Sequence, residues 1–421
     1  MRIAQRIAAD AVGQVLAGRN LSGVLDALFR THSNITPQQR AVAQDLSYGT
    51  LRFYGRIESI IGQLLDKPLT HEGVHHLLLV ALYQLLYDRA SAHTIVNQAV
   101  EAAATFKKPW AKGLVNAVLR NYLRRAEEFA ELDTQDEVAR YSYPQWWIDK
   151  LKVQYPQAWQ SILEAGNTHP PMSLRINLRK TTPQDYSASL SRLEIAHELI
   201  GHQAVILNKP VPVDQLPGFQ DGVVSVQDYG AQFAADLLDV KPGMRVLDAC
   251  CAPGGKTSHI LELADVQMLG LDHDAERLQR VQGNLDRLQL SARLQVGDAA
   301  NPEAWWDGVP FDRILADVPC TASGIVRRHV DIKWLRRELD VKAFAEQQGL
   351  ILRSLWQLLA KGGKLLYATC SIFHEENQRQ IERFLEQHKD ASQLSLEHPQ
   401  DGQLIPCAQH DGFFYALLQK D

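Results

Sequence analysis

Cysteine is scarce in this chain. Only five occur in 421 residues, at 250, 251, 320, 370 and 407, and no two are spaced Cys-x-x-Cys. That spacing rules out a zinc ribbon, and no metal site is expected. So few cysteines in a large chain fit a reducing, cytoplasmic compartment with free thiols. Long apolar runs are missing too. The densest patch, 77–83, is bounded by His76 and Gln84 and falls far short of the ~20 residues of a membrane span. The opening residues, Met1-Arg2-Ile3-Ala4-Gln5-Arg6, lack the apolar core of a signal peptide. Two Gly-rich signatures are also absent. There is no G-x-G-x-x-G dinucleotide fingerprint, and Cys250 stands where a P-loop needs its first glycine, so Gly255-Lys256-Thr257 is not a Walker ending.

Net charge is −5, unevenly spread. Residues 1–130 hold 15 Lys and Arg against 10 Asp and Glu, and the rest of the chain 29 against 39. A basic module on an acidic body hints at a polyanion partner, although a solvated helical surface explains the charge equally well.

Residues 1–135 read as an all-helical domain. Ile3, Ala4, Ile7, Ala8, Val12, Val15 and Leu16 recur at helical spacing. Thr36-Pro37-Gln38-Gln39 offers an N-cap with proline at the first helical position. Further helices are expected over 44–65, 75–87, 96–104 and 112–125. Residues 136–225 are richer in proline and read as a linker and small α+β subdomain. There 172–178 alternates apolar and polar side chains, which would put Arg175 and Asn177 on one polar face, extended by Arg179. Such a basic face suits a phosphate backbone or simply water.

Residues 226–421 read as a doubly wound α/β domain, β-α-β-α in pattern. Its first strand, 244–248, ends in Asp248 and runs through Cys250-Cys251-Ala252-Pro253-Gly254-Gly255-Lys256 into a helix. A strand, a Gly-rich turn and a helix can bring backbone close to a ligand, and a lone glycine motif can equally be an ordinary tight turn. Led by an acid, this turn suits a cofactor with a cationic head, such as S-adenosylmethionine, better than a pyrophosphate. Later strands end at Asp272, which lies 18 residues past Gly254 and suits ribose hydroxyls, at Asp298, at Asp317 and just before Cys370. Open α/β sheets bind ligands at the carboxyl ends of their strands. Asp248, Asp272, Asp298, Asp317, Cys320 and Cys370 therefore share one rim.

Two thiols on a rim suit methylation at carbon 5 of a pyrimidine. That carbon is a poor nucleophile until a thiolate adds to carbon 6. A second thiol can help release the product, and Asp317 can bind the N3/N4 edge of cytosine. Methylation of an exocyclic amine is disfavoured, because Asp317-Val318-Pro319-Cys320 lacks the aromatic that such sites carry. Cys250, Cys251 and Cys407 read as small buried hydrophobes.

These residues match a family. The 248–257 loop, Asp317-Val318-Pro319-Cys320-Thr321-Ala322-Ser323-Gly324, the Arg327-Arg328-His329 to Trp334 stretch and Tyr367-Ala368-Thr369-Cys370-Ser371 resemble the Nol1/Nop2/Sun family of RNA cytosine-5 methyltransferases. The helical part resembles the antitermination factor NusB at 81–87 and 112–120. The resemblance covers nearly the whole chain. It implies three parts: a NusB-like bundle, a small α+β subdomain and a Rossmann-like methyltransferase domain. It also implies S-adenosylmethionine held by Cys250 to Lys256 with Asp272, Asp298 and Asp317, Cys370 as nucleophile, and Cys320 assisting release. DNA cytosine-5 enzymes use the Pro-Cys cysteine instead, so chemistry alone does not order the two thiols. The implied target is cytosine 967 of 16S ribosomal RNA, acted on by a monomer with neither membrane nor DNA as partner. Cys251 and Val318 stand where the family commonly has alanine, both small apolar changes. Other readings are the same chemistry on tRNA or 23S ribosomal RNA, and a non-catalytic RNA-binding assembly factor. Arg327, Arg328, Lys333, Arg336 and Arg337 beside Trp334 suit phosphate contact and base stacking, or for the last two a surface helix.

Overall fold

The computed structural model describes residues 2–88, 90–130 and 136–421, which divide into two compact units. The first comprises residues 1–168 together with 326–338. Its helices Arg2–Leu16, Pro37–Arg52 and Glu72–Tyr87 bury an Ala-, Val- and Leu-rich core. Thr36 accepts the Gln39 N–H while the Gln39 side chain accepts the Thr36 N–H, a capping box that starts the second of these helices. The single helix expected over 44–65 is two. It breaks at Phe53, whose ring stacks on Tyr87 at 4.2 Å and whose backbone leaves the helical region, so Tyr54–Leu64 starts anew. Apolar periodicity runs straight through this break because the ring contact that causes it comes from another helix. Helices Gln145–Gln154 and Trp159–Gly166 also belong to this unit.

Segment 326–338 carries the basic cluster, and the structure corrects its expected role. Lys333 is fully buried and donates to the Arg52 carbonyl at 2.7 Å and to Asn167 Oδ1 at 2.8 Å. Burial holds its ammonium well below the usual lysine range. Arg327 is buried too, and its carbonyl accepts from Arg52. The Trp334 indole donates to the Leu51 carbonyl and meets the Tyr54 ring edge-on at 4.8 Å. Asp331 accepts from Asn20 and from the Leu21 N–H. These groups stitch the helical unit to itself, so Arg327 and Lys333 lie inside it rather than on a basic surface, while Trp334 and Arg336 are half-buried and Arg337 is exposed.

The second unit comprises residues 169–325 and 339–421. A four-stranded antiparallel sheet, in order β2-β3-β1-β4, is formed by β1 (Met172–Ile176), β2 (His197–Ile200), β3 (Ala204–Leu207) and β4 (Val224–Val226). The larger sheet comprises β5 (Arg245–Asp248), β6 (Gln267–Asp272), β7 (Arg293–Val296), β8 (Phe311–Asp317), β9 (Leu359–Thr369), β10 (Ala391–Leu394), β11 (Gln403–Leu404) and β12 (Phe413–Lys420). Its order is β10-β12-β9-β8-β5-β6-β7, with β11 pairing β12. The five strands from β9 to β7 are parallel, and β12 runs antiparallel against β9. The central parallel strands β5, β6 and β8 are mostly buried, as a sheet covered on both faces requires, whereas the edge strand β7 is only partly buried. Strand order reverses between β5 and β8, and that switch point opens the crevice where such sheets take ligands.

Candidate active site at the strand ends

Asp248, Asp272 and Asp317 each end a strand, Asp298 lies two residues beyond β7, and their environments differ. Asp248, at the end of β5, is buried and accepts the Thr257 hydroxyl at 2.7 Å through Oδ2. Its Oδ1 is buried without a partner of good geometry. Asp272 accepts the Ala252 N–H at 3.1 Å, which ties β6 to the glycine loop, and also the Asp274 N–H. Asp298 stands apart. It is exposed, and its carboxylate accepts the Ala300 N–H at 2.9 Å. Asp317, half-buried, takes Lys256 Nζ at 2.6 Å. Burial works against the Lys256 charge, yet Asp317 more than offsets it, so the ammonium is held above the usual lysine range.

The loop itself is tightly folded. Cys251 is buried with its N–H on the Leu271 carbonyl, Ala252 is buried, and Pro253 is exposed with its carbonyl accepting from Asn284. Gly254 has φ +97°, and a Cβ there would meet Val281 at 3.0 Å. Glycine is required on both counts. Gly255 opens the helix Gly255–Leu263. Burial raises the Cys250 and Cys251 thiols. Cys407 departs from its expected place as a buried hydrophobe. It is half-buried, and although burial acts to raise its thiol, a hydrogen bond with His410 brings it down to about 7.

Under this loop lies a correction to the expected polar face of β1. Arg175 is completely buried, not solvated. It donates to Glu262 at 2.7 and 2.9 Å, to the Gly255 carbonyl at 2.8 Å, to Gln227 at 2.6 Å and to Ser258 at 3.1 Å. Asn177 is buried as well, on the Gly222 carbonyl. Only Arg179 is exposed, and it pairs with Asp265. The small sheet thus anchors the helix into which the glycine loop runs. Alternating polarity mistook this inward face for an outward one.

The two thiols meet. Cys320 follows β8, Cys370 follows β9, and their sulfurs lie 3.4 Å apart. The loops remain zipped beyond the strands through Val318 N–H to the Ala368 carbonyl and Gly324 N–H to the Cys370 carbonyl. The Cys320 thiol is held well above its ordinary value, first by its hydrogen bond with Cys370 and then by burial. Cys320, Cys370, Asp317 and Lys256 therefore gather across the two strands beside the switch point. Glu376, Asn377 and Gln348, absent from the sequence-based candidates, hold these loops from beneath. Their one local signal was Glu375-Glu376-Asn377 shortly after the Thr-Cys-Ser motif.

Asp248 carries a pH prediction. Burial pushes its carboxyl up to about 7, from an ordinary 3.8. A folded-state pKa raised in this way gives stability that is full below the unfolded value and lost as pH rises through about 7. Asp248→Asn should remove this loss, worth up to about 4 kcal/mol. Melting temperatures between about pH 4 and pH 8 should fall less steeply in the variant, and parallel slopes would contradict the assignment.

A parallel sheet of this order, with acids at its strand ends and a glycine loop at the switch point, is the frame of a Rossmann-like methyltransferase. The comparisons agree. A model described as 16S rRNA methyltransferase RsmB/F matches residues 235–419, a ferredoxin-like domain model of RsmF/B-like methyltransferases matches 143–214, and the NusB family matches 2–124. Proteins called ribosomal RNA small subunit methyltransferase B are 44% identical in Serratia proteamaculans, over 98% of both chains, and 45% identical in Vibrio cholerae, over 98% of this chain and 96% of that one. The crystal structure of PH0851 shares the fold at a TM-score of 0.81 and 24% identity, covering 100% of this chain and 99% of that one. A methyltransferase homolog from Pyrococcus horikoshii, 28% identical, superposes at 0.60 over 68% of this chain and 98% of its own. The chain belongs to the 16S rRNA methyltransferase RsmB/F family, and it is a methyltransferase. No helix among the described residues is long and apolar enough to cross a membrane.

Proposed function

We propose that this enzyme methylates carbon 5 of cytosine 967 in 16S ribosomal RNA, with S-adenosylmethionine as donor, through a covalent bond between Cys370 and carbon 6. The observation that carries the reading is the pair of sulfurs 3.4 Å apart at neighbouring strand ends, beside Asp317 and Lys256. Amine methylation needs no such pair, and a binding factor has no use for it.

The residues at the switch point fit the cofactor. Asp248 offers an unpartnered buried oxygen, the Cys250–Gly255 backbone a close approach, and Asp272 a carboxylate, with Asp298 two residues past the next strand. When bound, the cofactor supplies a methyl sulfonium. The Cys370 thiolate would add to carbon 6 and push the carbon 5–carbon 6 π pair onto carbon 5, making that carbon nucleophilic enough to accept the methyl that the bound cofactor would supply. Asp317, beside Lys256, binds the N3/N4 edge of the base and draws electron density from carbon 6. A base must take the carbon 5 proton as the carbon 6–sulfur bond breaks and Cys370 leaves as its thiolate. Cys320, 3.4 Å from the Cys370 sulfur, takes that proton once its own has passed to solvent, and so returns to the thiol form. The target base must leave its stack to reach both sulfurs.

Labelled cofactor offered with unmodified 16S, 23S and transfer RNA in parallel tests the substrate. Label on 16S RNA alone, mapped to cytosine 967, is expected. Preferential labelling of another RNA, or of an adenine or guanine, would refute the reading.

A further inference from the structure

The two thiol loops are tied to a single carboxylate. Glu376 lies between β9 and the helix Gln378–Gln387 and is fully buried. Its Oε1 accepts the Thr321 N–H at 2.8 Å and Gln348 Nε2 at 3.0 Å. Its Oε2 accepts the hydroxyls of Thr321 and Ser371. Thr321 is the residue after Cys320, and Ser371 is the residue after Cys370. The adjoining Asn377 accepts the Thr369 hydroxyl at 2.6 Å and donates to the Ser371 carbonyl at 2.8 Å, so Cys370 is anchored on both sides. All four groups on Glu376 donate. A carboxylate can accept from every one of them, whereas a glutamine would turn an NH2 toward some of these donors.

This constellation is costly to bury. A buried carboxylate is poorly solvated, and burial raises the Glu376 carboxyl above its ordinary value despite the hydrogen bonds from Ser371 and Thr321. What the carboxylate adds is a fixed distance between two loops that must act on one base.

We propose that Glu376 is a positioning residue for product release: it sets the Cys320–Cys370 spacing, and thereby lets Cys320 act on the adduct held by Cys370. The inference rests on the proposed roles of the two thiols. Cys320 and Cys370 touch the reacting atoms, and Glu376 acts only through them.

Glu376→Gln tests it, with single-turnover kinetics that separate adduct formation from release. Adduct formation and cofactor affinity should stay close to those of the unmutated enzyme. Release should slow by about 10²-fold, the usual consequence of misplacing a reacting group by about 1 Å, so that adduct accumulates. Within Cys320→Ala, adding Glu376→Gln should slow release no further, because the two changes remove the same step. A merely structural role would instead slow both phases and add its full factor in that background, and either result overturns the proposal. Thr321→Val, which removes one of the two bonds to the Cys320 loop, should slow release by a smaller factor. It decides the matter if Glu376→Gln fails to bind cofactor, and unchanged release in it then overturns the proposal. Unchanged release in a cofactor-binding Glu376→Gln protein overturns this inference alone. No adduct in either the unmutated or the Cys320→Ala enzyme overturns the underlying reading of the site and this inference with it.

Discussion

Cys370→Ala is expected to abolish methyl transfer, by about 10⁴-fold or more, while cofactor still binds. The reason is electronic. Carbon 5 of cytosine cannot attack a methyl sulfonium until a nucleophile has added at carbon 6. Cys320→Ala should behave differently. Its Cys370 remains able to add and to carry the base through methylation, so one equivalent of methyl is transferred and the enzyme then stalls on its own product. Both variants lose turnover, yet only one loses the first turnover. Rapid-quench transfer of labelled methyl, compared in the two variants, measures the difference directly. A full first turnover in Cys370→Ala would make Cys320 the nucleophile.

Arg175→Met should be the most damaging single change outside the strand-end rim. Removing one partner of a buried ion pair leaves the other charge uncompensated, here Glu262, at a cost of about 3–5 kcal/mol. The guanidinium also holds the Gly255 carbonyl, Gln227 and Ser258, so its loss loosens the start of the helix that shapes the glycine loop. Stability in urea should fall by that amount, and the KM for the cofactor should rise with it. Arg175→Met combined with Glu262→Met should recover much of the stability, because the stranded charge is gone, but not the cofactor KM, because the Gly255 carbonyl remains unheld. A stability loss below about 1 kcal/mol in the single variant would mean that the network is relaxed by water.

The large sheet was legible because its strands announce themselves twice. β5, β6 and β8 are mostly apolar, and each ends in an acid that is expensive to place there without a purpose. Gln267–Asp272 and Arg293–Val296 appear over their expected spans, and the rim that gathers Asp317, Cys320 and Cys370 followed from topology alone. What escaped the sequence were polar groups turned inward. Arg175 alternates with apolar neighbours as a surface residue would, yet its partner lies 87 residues away. Lys333 and Arg327 read as an RNA-facing cluster, but Lys333 donates to the Arg52 carbonyl and to Asn167, and the Arg327 carbonyl accepts from Arg52, partners distant in sequence that leave no local pattern. Glu376 was overlooked for the same reason, since its role depends on Thr321, 55 residues earlier. Burial of a charge is decided by partners brought together in three dimensions, and periodicity reports only one segment's preference.

The central claim, that Cys370 bonds carbon 6 of the target cytosine, is tested most directly by trapping. Cys320→Ala enzyme, unmodified 16S RNA and cofactor would be mixed, denatured and digested, and the cross-linked peptide sequenced by mass spectrometry. The account predicts a methylated cytidine attached to the peptide carrying Cys370, and no such species from Cys370→Ala. Cytidine attached elsewhere, or methylated RNA accumulating with no cross-link at all, would contradict it.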